Sequence, residues 1–138
     1  MTELFQDDEY DRRFAGVAKI YSEDTFSHYE KSHVMVIGIG GVGSWAVEAL
    51  ARTGVGELTL IDMDVVAASN INRQLPAMSS TLGMDKIEVM AERCRSINPR
   101  IKINLIDDYL TPENVKELLA EAPDLILDCI DDVKAKLA

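Results

Sequence analysis

The stretch Gly38-Ile39-Gly40-Gly41-Val42-Gly43 decides the fold of this chain. It follows an apolar run at 34–37 and leads directly into a helix-forming segment at 44–50. This order predicts a strand, a glycine-rich turn and the start of a helix. Glycines let the backbone approach a phosphate closely, and the amide groups at a helix N-terminus face its negative charge. The stretch therefore predicts a phosphate-binding turn.

Strand and helix patterns alternate along the rest of the chain. The expected strands cover 33–37, 57–62, 101–106 and 124–128, and the expected helices cover 42–53, 84–97 and 111–121. This alternation favours right-handed crossovers and a parallel sheet. We predict an α/β fold for residues 33–138, with a Rossmann-like doubly wound parallel sheet that forms a partial ATP-binding domain.

Residues 1–32 are predicted to form an N-terminal helical arm. An apolar-edged face is expected from residues that recur at helical spacing, namely Arg13, Phe14, Val17, Ile20 and Tyr21. At the other end the chain stops where another helix begins. We therefore expect this to be the N-terminal part of a longer protein whose C-terminal half is missing.

Composition narrows the class of protein. The 138 residues carry a net charge of −10, which argues against a general nucleic-acid-binding surface. No apolar run is long enough to cross a bilayer, so we expect a cytoplasmic protein without a membrane partner. The two cysteines, Cys94 and Cys129, form no Cys-x-x-Cys pair, so a structural zinc site lacks ligands and both thiols are expected to be inert.

A nucleotide site is predicted by the residues that follow the first two strands. Gly38, Gly40 and Gly43 match the dinucleotide-binding pattern, and Asp62 lies 19 residues beyond Gly43, where a ribose-binding acid is expected. Taken alone, this pattern favours NAD. An NAD-linked oxidoreductase would also need a substrate domain and acid–base residues, and the sequence does not display them.

Three further residues favour nucleotidyl transfer instead. Arg73 and Lys86 would neutralise phosphate oxygens as the bond to the α-phosphate of the nucleotide breaks. Asp131 follows the fourth predicted strand and would hold Mg²⁺ together with phosphate oxygens. All three are expected at the carboxyl edge of the sheet, where ligands bind in open α/β folds.

Four ordered motifs then resemble the ThiF/MoeB ubiquitin-activating-enzyme-like superfamily, over nearly the whole chain. They are the glycine turn at 38–43, Asp62-Met63-Asp64 followed by the segment 69–74 (Ser-Asn-Ile-Asn-Arg-Gln), Gly83-Met84-Asp85-Lys86, and Asp128-Cys129-Ile130-Asp131. Details such as Gly43-Ser44-Trp45-Ala46 and the segment 49–54 look most like the tRNA threonylcarbamoyladenosine dehydratase branch.

The resemblance implies a set of roles with ATP and Mg²⁺ as cofactors. The ATP phosphates would lie against Gly38, Gly40, Gly41 and Gly43, and Asp62 would bind the ribose. Contacts to the triphosphate are implied for Asn70, Arg73, Gln74 and Lys86. Asp131 would position Mg²⁺, and Arg13 would reach the phosphates of the neighbouring subunit in a homodimer. The catalytic group implied in this way is Arg13, Arg73, Lys86 and Asp131.

The implied reaction is adenylation of a carboxylate on a modified tRNA adenosine, which then cyclises with loss of water. One alternative is adenylation of the C-terminus of a ubiquitin-like sulfur-carrier protein. Another is a fragment that binds nucleotide without catalysis. Among the remaining residues, Asp64 is expected to cap a loop, Cys129 to lie in the core, and Trp45 to serve packing or a subunit contact.

Overall fold

Four apolar runs form strands in the structure, a computed structural model that describes residues 2–131 and 136–137. The strands are β1 (His33–Ile37), β2 (Glu57–Ile61), β3 (Lys102–Ile106) and β4 (Leu125–Asp128). They pair in the order β3-β2-β1-β4, and all three pairings are parallel. Parallel neighbours require crossover connections, which the intervening helices supply. The predicted parallel sheet is confirmed.

Helices cover both faces of this sheet. They are α1 (Thr2–Tyr21), α2 (Glu23–Lys31), α3 (Gly43–Thr53), α4 (Lys86–Ile97) and α5 (Val115–Leu118). Successive strand residues point to opposite faces, so Val36 packs with Val47 of α3 and Met90 of α4, whereas Met35 belongs to a second cluster with Leu118. The doubly wound arrangement is therefore confirmed. In the described part of the chain, no helix is long and apolar enough to cross a membrane.

The helix predicted over 111–121 starts four residues late, as α5, and continues as a 3-10 turn over Leu119–Glu121 to the predicted end. The Oγ1 atom of Thr111 accepts a hydrogen bond from the Asn114 N–H at 3.2 Å, as an N-cap residue does. The Asn114 side chain also binds the Thr111 N–H at 2.8 Å and the Tyr109 carbonyl at 2.7 Å. These bonds hold 109–114 in a loop, so α5 begins only at Val115. The other predicted ends of strands and helices lie within two residues of the observed ones.

The N-terminal arm consists of two helices, because the chain turns at Ser22, which has φ of 89°. Tyr10 and Phe14 are buried, and the Phe14 ring stacks on Phe26 with 5.7 Å between centroids. Ile20 is 75% exposed, whereas the half-exposed Tyr21 ring meets the Tyr29 ring of α2 edge-on with 5.8 Å between centroids. The predicted apolar-edged face is therefore only partly packed, because Phe14 and Tyr21 contact rings of α2 whereas Ile20 lies in solvent.

The arm docks on the amino ends of the strands. The Gly56 N–H donates to the Tyr29 carbonyl at 3.0 Å, and a Cβ atom at Gly56 would lie 1.8 Å from the Glu30 carbonyl oxygen. Gly54 ends α3 with φ of 92°, which confirms the predicted left-handed helix end. The guanidinium of Arg100, just before β3, stacks 3.9 Å from the centroid of the Tyr10 ring. The arm therefore lies at the edge of the sheet opposite the carboxyl ends of the strands.

Candidate functional site

A cleft of about 990 Å³ opens at the carboxyl edge of the sheet. Loops that follow parallel strands meet at this edge, together with helix N-termini, which is why open α/β sheets bind ligands there. The cleft gathers nine of the predicted site residues, namely Gly38, Gly40, Gly41, Asp62, Asn70, Arg73, Gln74, Lys86 and Asp131. The other two, Gly43 and Arg13, do not line it.

The glycine turn joins β1 to α3 as predicted. Gly38 has φ of 91°, and its N–H donates to the Ile61 carbonyl at 2.9 Å. The Ser44 hydroxyl donates to the Gly40 carbonyl at 2.5 Å, which fixes the first turn of α3. Gly43 lies beneath the turn, where its Cα is packed against the Gly38 carbonyl. The glycines that face the cleft are therefore 38, 40 and 41, and the phosphate contact predicted for Gly43 stays a prediction.

The Asp62 carboxylate is held by backbone N–H groups of two segments, the glycine turn after β1 and the loop after β2. One carboxylate oxygen accepts the Ile39 N–H at 2.7 Å, and the other accepts the Asp64 N–H at 2.8 Å. Asp62 is buried, yet it lines the cleft. Each carboxylate oxygen can accept a second hydrogen bond, so the group can still bind sugar hydroxyls.

Two amide side chains of the loop after β2 are buried beside the glycine turn. The Asn70 Oδ1 atom accepts the Ala67 N–H at 2.9 Å and so shapes the loop. The Gln74 side chain lies 3.6 Å from the position of a Cβ on Gly40, and its Oε1 atom is buried without a hydrogen-bond partner among the described residues. Buried polar groups are normally hydrogen-bonded. An orphaned amide at the cleft is therefore consistent with a site that binds a polar ligand.

Two cationic side chains line the cleft, one of them exposed and the other buried. Arg73 lies along Gly41 and is exposed, with its Nη1 atom donating to the Ser69 carbonyl at 3.2 Å. Lys86, the first residue of α4, is only 5% exposed, and its Nζ atom lies 3.8 Å from Asp64. That distance is longer than a hydrogen bond, so the ammonium group keeps its donors for a ligand. Together they provide one exposed and one buried positive charge.

Asp131 lines the cleft with an exposed carboxylate. Among the described residues, no three His, Cys, Asp or Glu side chains come together in a group that could hold a metal ion. The exposed carboxylate of Asp131 fits Mg²⁺, because this ion is commonly held by one or two carboxylates, phosphate oxygens and water. It does not fit a metal that needs a cage of protein ligands.

The cysteines and Trp45 play structural parts. Burial raises the pKa of the Cys94 thiol to about 12, and burial together with Asp128 raises the pKa of Cys129. Both thiols are therefore protonated near neutral pH, as the prediction of inert cysteines requires. The Trp45 Nε1–H donates to the Arg73 carbonyl at 2.9 Å, so this half-exposed ring braces the loop that carries Arg73.

Arg13 lies far from the cleft of its own chain. Its Nη1 atom donates to the carbonyls of Ser96 and Ile97 at 3.1 Å each, and its Nη2 atom pairs with Glu9 at 2.7 Å. These carbonyls end α4, whose first residue is at the cleft, so Arg13 is at the opposite edge of the sheet. Only another subunit could bring Arg13 to a bound nucleotide, and that contact stays a prediction.

Sequence reasoning missed the segment that follows β3. Residues 108–112 line the cleft, and the Tyr109 hydroxyl donates to Asp64 at 2.5 Å. This bond raises the pKa of Tyr109, because the carboxylate stabilises the protonated phenol. Asp64 is therefore a cleft residue rather than the loop cap that was predicted. The rule that located Asp62, a position just after a parallel strand, would also have found this segment.

The chain is similar to a well-populated group of proteins. The family model described as ThiF family matches residues 10–138. A curated tRNA threonylcarbamoyladenosine dehydratase from Haemophilus influenzae is 52% identical over 136 residues, which is 99% of this chain and 52% of that protein. A molybdopterin-synthase adenylyltransferase from Escherichia coli is 40% identical over 76% of the chain and 42% of that protein.

Solved structures give the same grouping. The crystal structure of Escherichia coli tRNA N6-threonylcarbamoyladenosine dehydratase, TcdA, in complex with ATP superposes with a TM-score of 0.92 at 47% identity. The match covers 94% of this chain and 53% of that one. The chain spans about half the length of the curated dehydratases that it matches.

Proposed function

The chain belongs to the ThiF family, and on that premise we propose that it forms the ATP-binding part of an enzyme that adenylates a carboxylate. The acceptor that we propose is threonylcarbamoyladenosine in tRNA, which then cyclises with loss of water. The observation that carries the proposal is the cleft, where a glycine turn, a sugar-binding acid, two cations and the carboxylate of Asp131 meet. The likeness to a dehydratase solved with ATP supports the same reaction.

The residues of the cleft suit attack on an α-phosphate. A carboxylate oxygen of the acceptor forms a bond to the α-phosphorus of ATP, and the bond from that phosphorus to the bridging oxygen breaks, so that pyrophosphate leaves. Two anions approach each other in this step, and Lys86 and Arg73 offset their repulsion. The acceptor supplies the nucleophile, so the protein needs none. Ring closure on the activated carbonyl then releases AMP.

Other parts of the cleft hold the nucleotide for this step. The backbone amides of the turn and of the α3 N-terminus would bind the phosphates. Asp62 would accept the ribose hydroxyls. Mg²⁺, held by Asp131 and phosphate oxygens, would neutralise charge that develops on the departing pyrophosphate.

A second acceptor remains a candidate because of the likeness to a molybdopterin-synthase adenylyltransferase. In that alternative the carboxylate is the C-terminus of a ubiquitin-like sulfur carrier. The net charge of −10 favours a protein acceptor over tRNA, but it describes only this chain. A nucleotide-binding role without catalysis is the third candidate. The cytoplasm is the location that we propose for a tRNA-modifying reaction.

Exchange of radiolabelled pyrophosphate into ATP distinguishes these candidates. With the whole protein that contains this chain, we expect exchange to depend on tRNA that carries threonylcarbamoyladenosine. The matched control is the same tRNA without the threonylcarbamoyl carboxylate, which should support no exchange. Exchange that requires a sulfur carrier ending in an intact C-terminal carboxylate would replace the lead proposal by the alternative. ATP binding without exchange for either acceptor would leave only the binding role.

We further propose a homodimer in which Arg13 of one subunit serves the cleft of the other. Arg13→Ala and Lys86→Met variants should each be inactive alone. When they are mixed and allowed to exchange subunits, about a quarter of the sites should be intact, because half of the random dimers contain one unaltered site. The measurement is the ATP–pyrophosphate exchange activity that the mixture recovers. A mixture as inactive as its components would mean that Arg13 acts within its own chain, for example by binding the end of α4.

A further inference from the structure

The order of the strands indicates where the base of a bound nucleotide would lie. The phosphates belong to the glycine turn after β1, and the ribose belongs to Asp62 after β2. The sheet order β3-β2-β1-β4 places β3 next in the same direction. A nucleotide that follows the sheet edge from phosphate to ribose therefore carries its base towards the segment that leaves β3.

Tyr109 is the aromatic residue at that position. Of the described residues that line the cleft, it alone has an aromatic side chain, and it is 50% exposed. Its hydroxyl donates to the Asp64 carboxylate at 2.5 Å, and the Asp64 N–H in turn donates to Asp62 at 2.8 Å. The ring is thus tied to the strand end that carries the sugar-binding acid. A base attached to that sugar would lie within reach of the ring.

The segment around Tyr109 is held by hydrogen bonds within the chain. The Tyr109 carbonyl accepts the Asn114 side chain at 2.7 Å, and the Tyr109 N–H donates to Asp108, also at 2.7 Å. Together with the bond to Asp64, these contacts restrain the backbone on both sides of the ring as well as its tip. A ring that is already held loses little conformational entropy when a base stacks on it.

We propose that Tyr109 is a specificity-determining residue of the cleft, whose ring stacks on the nucleobase and so favours purine over pyrimidine nucleotides. This inference rests on the proposed function, because it takes a nucleoside triphosphate as the ligand. Purines offer a larger face to the ring than pyrimidines do. Asp64 serves here as a positioning residue that holds the phenol.

Binding measurements on the whole protein test this role with Tyr109→Ala, Tyr109→Leu and Tyr109→Phe. The ligands are ATP, AMP, CTP and inorganic tripolyphosphate, and the readout is the Kd from calorimetry. Stacking on an aromatic side chain makes a contribution that corresponds to about five-fold or more in Kd. Tyr109→Ala and Tyr109→Leu should both raise the Kd for ATP and for AMP by that factor. They should also reduce the ratio of the Kd for CTP to the Kd for ATP. Tyr109→Phe keeps the aromatic face, so its Kd values should stay within about three-fold of those of the unaltered protein.

Tripolyphosphate provides the internal control, because it occupies the phosphate end alone and its Kd should not change in any variant. A Tyr109→Leu protein that binds ATP as tightly as the unaltered one would overturn the inference while leaving the proposed function intact. Equal losses of affinity for ATP and for tripolyphosphate would also overturn the inference, because the substitution would then have disturbed the whole cleft. If the unaltered protein bound no ATP, the proposed function would fail and the inference with it.

Discussion

Replacing Gly43 with alanine is expected to destabilise the fold and abolish nucleotide binding together. A Cβ atom at this position would lie 1.7 Å from the Gly38 carbonyl oxygen and 3.2 Å from the Cβ of Cys129. The first of these neighbours is backbone in the glycine turn, so relief requires α3 to move away from β1. Overpacking typically lowers the free energy of unfolding by about 1–3 kcal/mol, and a clash with backbone places this variant at the upper end of that range. Thermal and denaturant unfolding measure that loss, and calorimetry with ATP measures binding.

Gly40→Ala is the matched control in the same turn. Its Cβ atom would meet only the Gln74 side chain, at 3.6 Å, which is an ordinary contact. This variant should unfold within about 1 kcal/mol of the unaltered protein, since no backbone has to shift. If Gly43→Ala were as stable as Gly40→Ala, the close approach of α3 to the end of β1 would be wrong.

Lys86→Met should produce the largest loss of activity. Methionine keeps most of the volume of this buried side chain and removes its charge. A group that stabilises transition-state charge in a water-poor site contributes about 100- to 1000-fold to the rate. We expect ATP–pyrophosphate exchange to fall by that factor, with a much smaller effect on the binding of AMP, which lacks the departing phosphates.

Lys102→Met tests whether removal of any lysine has this effect. Lys102 is the first residue of β3, at the opposite edge of the sheet, where its exposed ammonium group pairs with Glu57 at 3.6 Å. The rate of ATP–pyrophosphate exchange by the Lys102→Met variant should match that of the unaltered protein. Lys86→Met activity within three-fold of the Lys102→Met control would contradict the role assigned to Lys86.

The parts of the molecule that are encoded locally could be predicted from the sequence. Each strand is a short apolar run next to glycine or a polar turn, and Gly54 marks the end of α3 by its backbone conformation. Asp62 and Asp131 could be placed because each follows a parallel strand. Positions after such strands share one edge of the sheet whatever the details of packing. The cleft follows from topology for the same reason.

Features that depend on contacts between distant segments could not be predicted. The hydrogen bond from Tyr109 to Asp64 joins residues that are 45 positions apart, and no periodicity encodes it. The late start of α5 depends on the Asn114 side chain, which competes with the helix for the backbone of the preceding loop. The buried face of the arm depends on where α2 crosses α1, and helical spacing in α1 alone does not specify that position.

The two hydrogen bonds of the Asp62 carboxylate have a consequence for protein engineering. Changing the nucleotide preference of such a cleft normally begins by replacing the sugar-binding acid. Here the same carboxylate anchors the glycine turn through Ile39 and the following loop through Asp64. A designer who removes it to admit another cofactor also loosens the phosphate cradle that the new cofactor would need. Redesign of the sugar site therefore has to begin with new anchors for the turn.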